Sequence, residues 1–378
     1  MQFTTKLIPL AIALAFAAQA SAQQVVKIGA VAPMSGPNAH LGKDNDNAAR
    51  MAIDELNAKG FTLGGKKVTL QMLSEDDAGD PKQGTAVAQK LVDAHVNGVI
   101  GHLNSGTTVP ASKIYNDAGI VQISPATTAP VFTRQRFPGA FRVVASDVKL
   151  GSTLAKYAIN NLKAKNIAVI DDRTTYGQGV ADEFVKAVKG PGVRVVGKEF
   201  TNPNATDYTA ILTSIKAKKP DLVFFGGMDS VGGPMLKQMK ALGINAMYMG
   251  GDGICTESLG RLAGDAIGEG KVVCAEAGGV QGPQEQGLAD FRERYKKKFG
   301  HDIQLYAPYV YDAVMVMAAA MQQANSADPA KYLPELKKIK YEGVTGTIQF
   351  DPSGDIKDGA LTLYTYKGGK KTKMEVVR

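Results

Sequence analysis

Residues Gly98 to Pro130 read GVIGHLNSGTTVPASKIYNDAGIVQISPATTAP. An apolar run, Gly98 to Leu103, stops at the small polar set Asn104, Ser105, Gly106, Thr107 and Thr108. A short helix is predicted from about Pro110 to Asp117. A second apolar run, Gly119 to Ile123, then stops at Ser124-Pro125-Ala126-Thr127-Thr128. The pattern is strand, polar loop, helix, strand, polar loop. In an open parallel sheet both loops fall at the carboxyl ends of strands, where ligands bind. The first loop also opens a helix, whose free N–H groups and hydroxyls suit an anion such as a carboxylate. Taken alone, Ser105 and Thr107 read more readily as plain helix caps. A second hydroxyl-rich loop at the same edge favours a binding site.

The same alternation extends outward. Strand-like runs occur at Val26–Pro33 and Lys67–Glu75, with helical stretches at Asn45–Lys59 and Pro81–His95. Parallel strands joined by helical crossovers form right-handed βαβ units. Phe141–Ala145 leads out of this block. A second block repeats the plan, with strands at Ile167–Asp172, Val193–Phe200, Leu222–Gly227, Ala246–Gly250 and Val272–Ala275. Its helices are predicted at Gly179–Lys189, Tyr208–Lys218 and Pro234–Leu242. The tail differs: helices at Gln284–Phe299, Tyr309–Gln323 and Lys331–Ile339 precede strands at Thr347–Asp351 and Leu361–Tyr366. Met315, Met317 and Met321 lie in an Ala/Val/Met helix that reads as core rather than as a cofactor contact. The fold expected is α/β, with two doubly wound, Rossmann-like lobes facing across a cleft.

The chain has 378 residues, 44% hydrophobic and 21% charged, enough for two domains with separate cores. Lys6, the apolar run Leu7 to Ala18 and the small-x-small site Ala20-Ser21-Ala22 read as a cleaved secretory signal peptide over residues 1–22. No cysteine stands at the cleavage site, so no lipid anchor is expected, and no other apolar run is long enough to span a membrane. The formal charge of +8 is scattered. Its one basic run, Arg292 to Lys298, falls at a helix end where the macrodipole favours cations, so nucleic acid is not expected as a partner. Cys255 and Cys274 would meet an oxidising compartment, which predicts a disulfide between them worth roughly 3 kcal/mol.

Several chemistries lack their motifs. There is no dinucleotide or phosphate-binding glycine loop, no nucleophile elbow and no metalloprotease helix. The four histidines, His40, His95, His102 and His301, stand at no metal-ligand interval. Asp76-Asp77 forms a carboxylate pair at the ligand edge, but with no histidine partner in sequence it reads as structural. Neither catalysis, metal nor cofactor is expected. A binding protein is the leading class.

At this point the residues resemble a known family. Pro33-Met34-Ser35-Gly36-Pro37, Asp76 to Gln83, Ile100 to Leu103 with Ser105, and Ser124 to Pro130 run in its order. Tyr176-Gly177-Gln178-Gly179, Phe225-Gly226-Gly227 and Met249-Gly250-Gly251-Asp252-Gly253 follow. Together they resemble the periplasmic branched-chain amino acid-binding proteins of bacterial ABC transporters, the leucine/isoleucine/valine-binding family with the type I periplasmic-binding fold. The resemblance covers essentially the whole chain after the signal peptide. It implies three crossings between the lobes, near Ala145, Ala277 and Gly359. Lobe 1 is then residues 23–145 and 277–358, and lobe 2 is residues 146–276 and 359–378.

The resemblance also implies roles. Ser105, with its backbone N–H, would bind the ligand α-carboxylate, aided by Thr128. The Ala126 carbonyl, the Thr128 hydroxyl and the Asp252 carboxylate would receive the α-ammonium, and Tyr176 would close over the ligand. Asp252 stands where the family usually has glutamate, one methylene longer. Leu41 and Met228 stand where well-known members carry aromatic rings; packing and ligand contact are both open for them. Family members often have a disulfide in lobe 1, where this chain has Ala78 and Asn104; Cys255 and Cys274 resemble the pattern of a proteobacterial subgroup. The implied function is a monomeric periplasmic receptor that captures an aliphatic amino acid by hinge closure. It would deliver that ligand to an inner-membrane ABC permease with its ATPase subunits. The alternatives are another small carboxylate or amide as ligand, or a sensor module without transport.

Overall fold

The computed structural model describes residues 24–377, so the signal peptide expected over residues 1–22 lies outside them. Two sheets organise the chain. The first has the order Thr62–Leu63, Lys66–Asp76, Gln24–Ala32, Gly98–Ile100, Gln122–Ser124, Ala140–Arg142. All its pairings are parallel except the short hairpin at Thr62–Leu63. The second has the order Lys370–Val377, Leu361–Lys367, Val272–Glu276, Met247–Gly250, Leu222–Gly226, Asn166–Asp171, Arg194–Phe200. Its first two strands are antiparallel additions to a parallel sheet. Helices cover both faces, so central strands such as Leu222–Gly226 and Val272–Glu276 are buried along their whole length. This is the doubly wound, two-lobed α/β architecture the alternation predicts.

Two helices begin earlier than their prolines suggest. Pro110 and Pro234 read as first-turn residues, the position proline prefers. The helices in fact run Ser105–Asp117 and Asp229–Ala241, with each proline inside. A proline there removes one backbone donor close to the N-terminus, a loss these helices absorb. The consequence is functional: the set Ser105 to Thr108 is not a loop but the first turn of a helix. Likewise the helix predicted from Asn45 starts at Ala39, which puts Leu41 in its first turn.

Several elements carry no expectation from sequence, and two of them are long. Asp147–Asn160 is a helix that buries Leu150, Leu154, Ala155 and Ala158. Lys370–Val377 is an edge strand whose Lys-rich residues, half of them exposed, lack alternation. The Met-rich stretch is a core helix, Ala307–Gln323, with Met317 and Met321 buried. It packs on the first sheet, and Met317 and Tyr332 leave no room for a side chain at Gly98.

The tail helices belong with the first sheet through specific contacts. Tyr332 donates its hydroxyl to the Asn97 carbonyl at 2.8 Å, and the Tyr311 hydroxyl meets Glu55 at 2.6 Å. The chain therefore passes between the two sheets three times. The passages meet: Ala145 N–H bonds the Ala277 carbonyl at 3.0 Å, and a side chain at Gly359 would touch Ala145. A cavity of about 270 Å³ borders all three. Cys255 and Cys274 are joined in a disulfide. Among the described residues no helix is long and apolar enough to cross a membrane.

Candidate ligand-binding site

Each sheet reverses its strand order once. In the first sheet the reversal lies between Gln24–Ala32 and Gly98–Ile100, in the second between Asn166–Asp171 and Leu222–Gly226. Chain ends diverge there and leave a crevice at the carboxyl edge. Leu41 and Ser105 follow the two strands flanking the first reversal, and Tyr176 and Met228 follow the two flanking the second. Ala126 and Thr128 follow Gln122–Ser124, and Asp252 follows Met247–Gly250. All seven stand at facing edges, and all are buried.

The hydroxyls of the first edge divide sharply by use. Thr107 and Thr108 donate back to the Asn104 carbonyl, at 3.0 and 2.9 Å. Ser124 donates to the His102 carbonyl at 2.9 Å and accepts from Thr127 N–H at 3.0 Å. Those groups hold the loops. Ser105, at the first helical position, accepts only a long contact from Ala129 N–H at 3.4 Å. Thr128 Oγ1 is buried with no protein partner. Arg142 fixes the second loop from behind: its guanidinium donates to the carbonyls of Thr127 and Ala129 at 3.1 and 3.0 Å and to the Thr133 hydroxyl at 2.7 Å. Ser105 and Thr128 are thus the hydroxyls of this edge that the protein uses least.

Opposite them the chain collects negative charge. Asp252 is fully buried; Oδ2 accepts the Tyr306 hydroxyl at 2.9 Å and Oδ1 has no partner. Burial raises its pKa to about 6, against the opposing pull of the Tyr176 and Tyr306 hydroxyls. Asp147, also fully buried, has no protein partner for either carboxylate oxygen, and its own N–H bonds the Thr128 carbonyl at 2.8 Å. Burial, and then the Asp252 charge, push its pKa well above the ordinary carboxylate value, against the smaller opposing pull of the neighbouring Thr128 hydroxyl. The Tyr176 hydroxyl accepts Gly253 N–H at 2.8 Å, so the ring lies against the Asp252 turn. Glycine is required in that turn, because a Cβ at Gly253 would come within 2.7 Å of the Tyr176 ring and 2.6 Å of the Gly227 carbonyl. Leu41, Ala126, Tyr176 and Met228 belong to one continuous apolar cluster.

The arrangement has a donor end and an acceptor end. A helix N-terminus with Ser105 offers N–H and O–H groups. Thr128, Asp147 and Asp252 offer oxygens without partners, an arrangement that costs free energy until a cation arrives. A zwitterion fits both. Sequence reasoning missed Asp147 and Tyr306. Asp147 opens the unread helix Asp147–Asn160 shortly after the strand Ala140–Arg142, so its signal was an acid at a helix start. Tyr306 reaches Asp252 from a distant tail segment and has no local signal.

The Asp76-Asp77 reading needs correction. Asp77 does have a histidine partner: His102 Nδ1 lies 2.8 Å from its Oδ2, and His102 Nε2 lies 3.0 Å from the Tyr115 hydroxyl. All three side chains are buried. The pair is structural, as expected, because Asp77 also ties its own turn through Gly79 N–H at 3.0 Å. The histidine comes from the next strand, out of reach of sequence spacing.

The cleft mouth is a cavity of about 420 Å³ whose walls include Asn38, Asn104, Gly106, Tyr176 and Met228, but not Ser105, Thr128 or Asp252. Polar contacts join the two sides around it. The Ser230 hydroxyl donates to Asn38 at 3.2 Å and the Ser258 hydroxyl to Gln304 at 2.9 Å. The structure is of a shut cleft.

Comparison with known proteins bears on the family and the fold. Residues 25–371 match the model of a family described as periplasmic binding protein. The leucine-, isoleucine-, valine-, threonine- and alanine-binding protein of Pseudomonas aeruginosa is 34% identical, over 93% of this chain and 92% of that one. A Leu/Ile/Val-binding protein homologue of Brucella abortus is 34% identical over 98% of each chain. Among solved structures, LivJ of Streptococcus pneumoniae, a branched-chain amino acid transporter substrate-binding protein in complex with isoleucine, superposes with a TM-score of 0.84. It is 26% identical over 94% of this chain and 99% of that one. The leucine-binding protein LivK of Thermotoga maritima has the same fold, with a TM-score of 0.84 at 24% identity over 93% and 98% of the two chains.

Proposed function

The chain belongs to the periplasmic binding protein family, and from that membership we propose that it captures a branched-chain, Leu/Ile/Val-type amino acid by closing two lobes upon it. The carrying observation is the set of buried, partnerless oxygens on Thr128, Asp147 and Asp252. An α-ammonium satisfies them, while Ser105 and the helix N-terminus receive the α-carboxylate. Leu41, Tyr176 and Met228 would line the side-chain pocket. Leu41 and Met228 make that pocket soft, which favours breadth among aliphatic side chains over strict choice. The lobes divide near Ala145, Ala277 and Gly359, where the converging passages and the adjoining cavity suit a hinge. Closure joins ligand contacts from both lobes, so binding shifts the equilibrium to the shut form. The closed monomer, exported to the periplasm through its signal peptide, presents the amino acid unchanged to an inner-membrane ABC permease.

The test uses two ligands and one variant. Calorimetry should give tight binding of L-leucine and far weaker binding of its des-amino analogue, 4-methylpentanoate. Asp252→Ala removes the main partner of a buried cation, which costs roughly 2–5 kcal/mol. Leucine affinity should therefore fall by about thirty-fold to several thousand-fold. If Asp252→Ala weakens both ligands equally, or neither, the ammonium assignment is wrong.

A further inference from the structure

The turn Asp252–Ile254 carries the carboxylate assigned to the ligand ammonium, and what holds the turn comes from far along the chain. The Thr256 carbonyl accepts the Tyr366 hydroxyl at 2.7 Å, and the Ile254 carbonyl lies 3.3 Å from the same hydroxyl. The Cys255 carbonyl between them accepts the Lys371 ammonium at 3.0 Å. Three consecutive carbonyls behind Asp252 thus meet two side chains. Tyr366 and Lys371 are direct partners across the antiparallel hairpin of Leu361–Lys367 and Lys370–Val377, so their side chains stand together on one face. The hairpin tip is seated closely as well: a Cβ at Gly260, in the helix Ser258–Ala263 that follows the turn, would collide with the Gly369 carbonyl.

We propose that Tyr366 and Lys371 are positioning residues for amino-acid capture: side by side on the last hairpin, they grip the carbonyls behind Asp252 and hold its carboxylate toward the cleft. The inference rests on the capture reading above and adds the means by which the ammonium site is kept in place. It also gives the third passage of the chain between the sheets a task, since both residues lie beyond it.

The lysine is costly to keep dry. Its side chain is 5% exposed, and burying an ammonium is unfavourable unless partners replace the lost water. Glu276 Oε2 lies 3.5 Å from it and Glu257 Oε1 4.0 Å, and the ammonium stands 4.5 Å from the centre of the Tyr364 ring. Glu276 in turn accepts the Tyr309 hydroxyl at 2.9 Å, from the helix Ala307–Gln323 on the first sheet. Those partners fix the ammonium over the Cys255 carbonyl, where a charge-assisted bond is about twice as strong as a neutral one. Neutralising Glu276 is the other task open to Lys371, and the two tasks part when both residues are replaced.

Calorimetry with L-leucine, and amide hydrogen exchange on the ligand-free protein, test the proposal. K371M combined with E276Q removes the grip on Cys255 without leaving a buried carboxylate unpaired. Leucine affinity should fall about tenfold, as the loss of one charge-assisted hydrogen bond implies. Y366F keeps the ring and should cost about threefold to tenfold. In both, the Gly253 and Cys255 amides, now bonded to the Tyr176 hydroxyl and the Asp252 carbonyl, should exchange faster, while those of Leu222–Gly226 keep their protection. On an Asp252→Ala background neither change should weaken leucine further, because the group they act through is already gone. Unchanged affinity and exchange in a variant overturns the role of the residue it replaces. A full loss that persists on the Asp252→Ala background, or faster exchange across the whole second sheet, overturns positioning in favour of a merely structural part. Failure of the wild type to bind leucine overturns the capture reading instead, and the exchange comparison still decides whether the hairpin grips the turn.

Discussion

At the residue scale, the proposed function gives Asp147 and Asp252 unequal shares of one task. Asp252 shares a hydrogen bond with Tyr306, whereas neither oxygen of Asp147 has a protein partner. Much of what Asp147 gives an ammonium is offset by the cost of keeping a second carboxylate dry. Asp147→Asn should therefore weaken leucine by only about tenfold, some 1.4 kcal/mol, against the larger loss for Asp252→Ala. Calorimetry on both variants checks the order; a larger loss at Asp147 would make it the principal ammonium partner. Leu41→Ala removes apolar contact worth roughly 1–3 kcal/mol and should change the ranking of leucine, valine and alanine while the demand for an α-amino group stays. Competition binding among those three amino acids reads that ranking. If the ranking is unchanged, Leu41 is packing alone.

At the scale of elements, the disulfide binds a short turn to a strand. Cys255 directly follows the turn Asp252–Ile254, and Cys274 lies within Val272–Glu276. Replacing both by serine should lower stability by roughly 3 kcal/mol, read by denaturant unfolding. It should also weaken leucine binding, because the Asp252 turn loses its tether; unchanged affinity would show that the turn is held without it. Unreduced, denatured protein should offer no free thiol to labelling reagents. The elements themselves were largely legible because parallel strands buried on both faces leave unmistakable apolar runs, as at Leu222–Gly227. Helix starts were not, because Pro110 and Pro234 signal a beginning one turn or more too late. Ser105, Thr128, Tyr176 and Asp252 stood out as candidates because each follows a strand within a recognisable motif. Asp147, Tyr306 and the histidine partner of Asp77 could not, since they meet the site only through tertiary packing.

At the scale of the whole molecule, closing has an electrostatic cost that the ligand removes. Open to water, Asp252 has the ordinary value of 3.8; shut in, it rises to about 6. Closing the empty cleft therefore takes up a proton and is favoured as pH falls from about 6 toward that ordinary value. Ligand-free protein should be more compact by small-angle scattering at about pH 4.5 than at about pH 7.5, and Asp252→Asn should reduce the difference. Equal dimensions at both pH values would mean that the carboxylate does not oppose closure. The threefold passage of the chain has a further consequence, for synthesis. The strand Gly98–Ile100 is completed by Met317 and Tyr332, and the second sheet begins at Asn166 yet ends at Val377. Neither body is a contiguous stretch of polypeptide, so a chain emerging from its N-terminus cannot finish the first before it has started the second. Such long-range pairing delays folding until most of the sequence is available. Neither body can therefore be made alone by simple truncation.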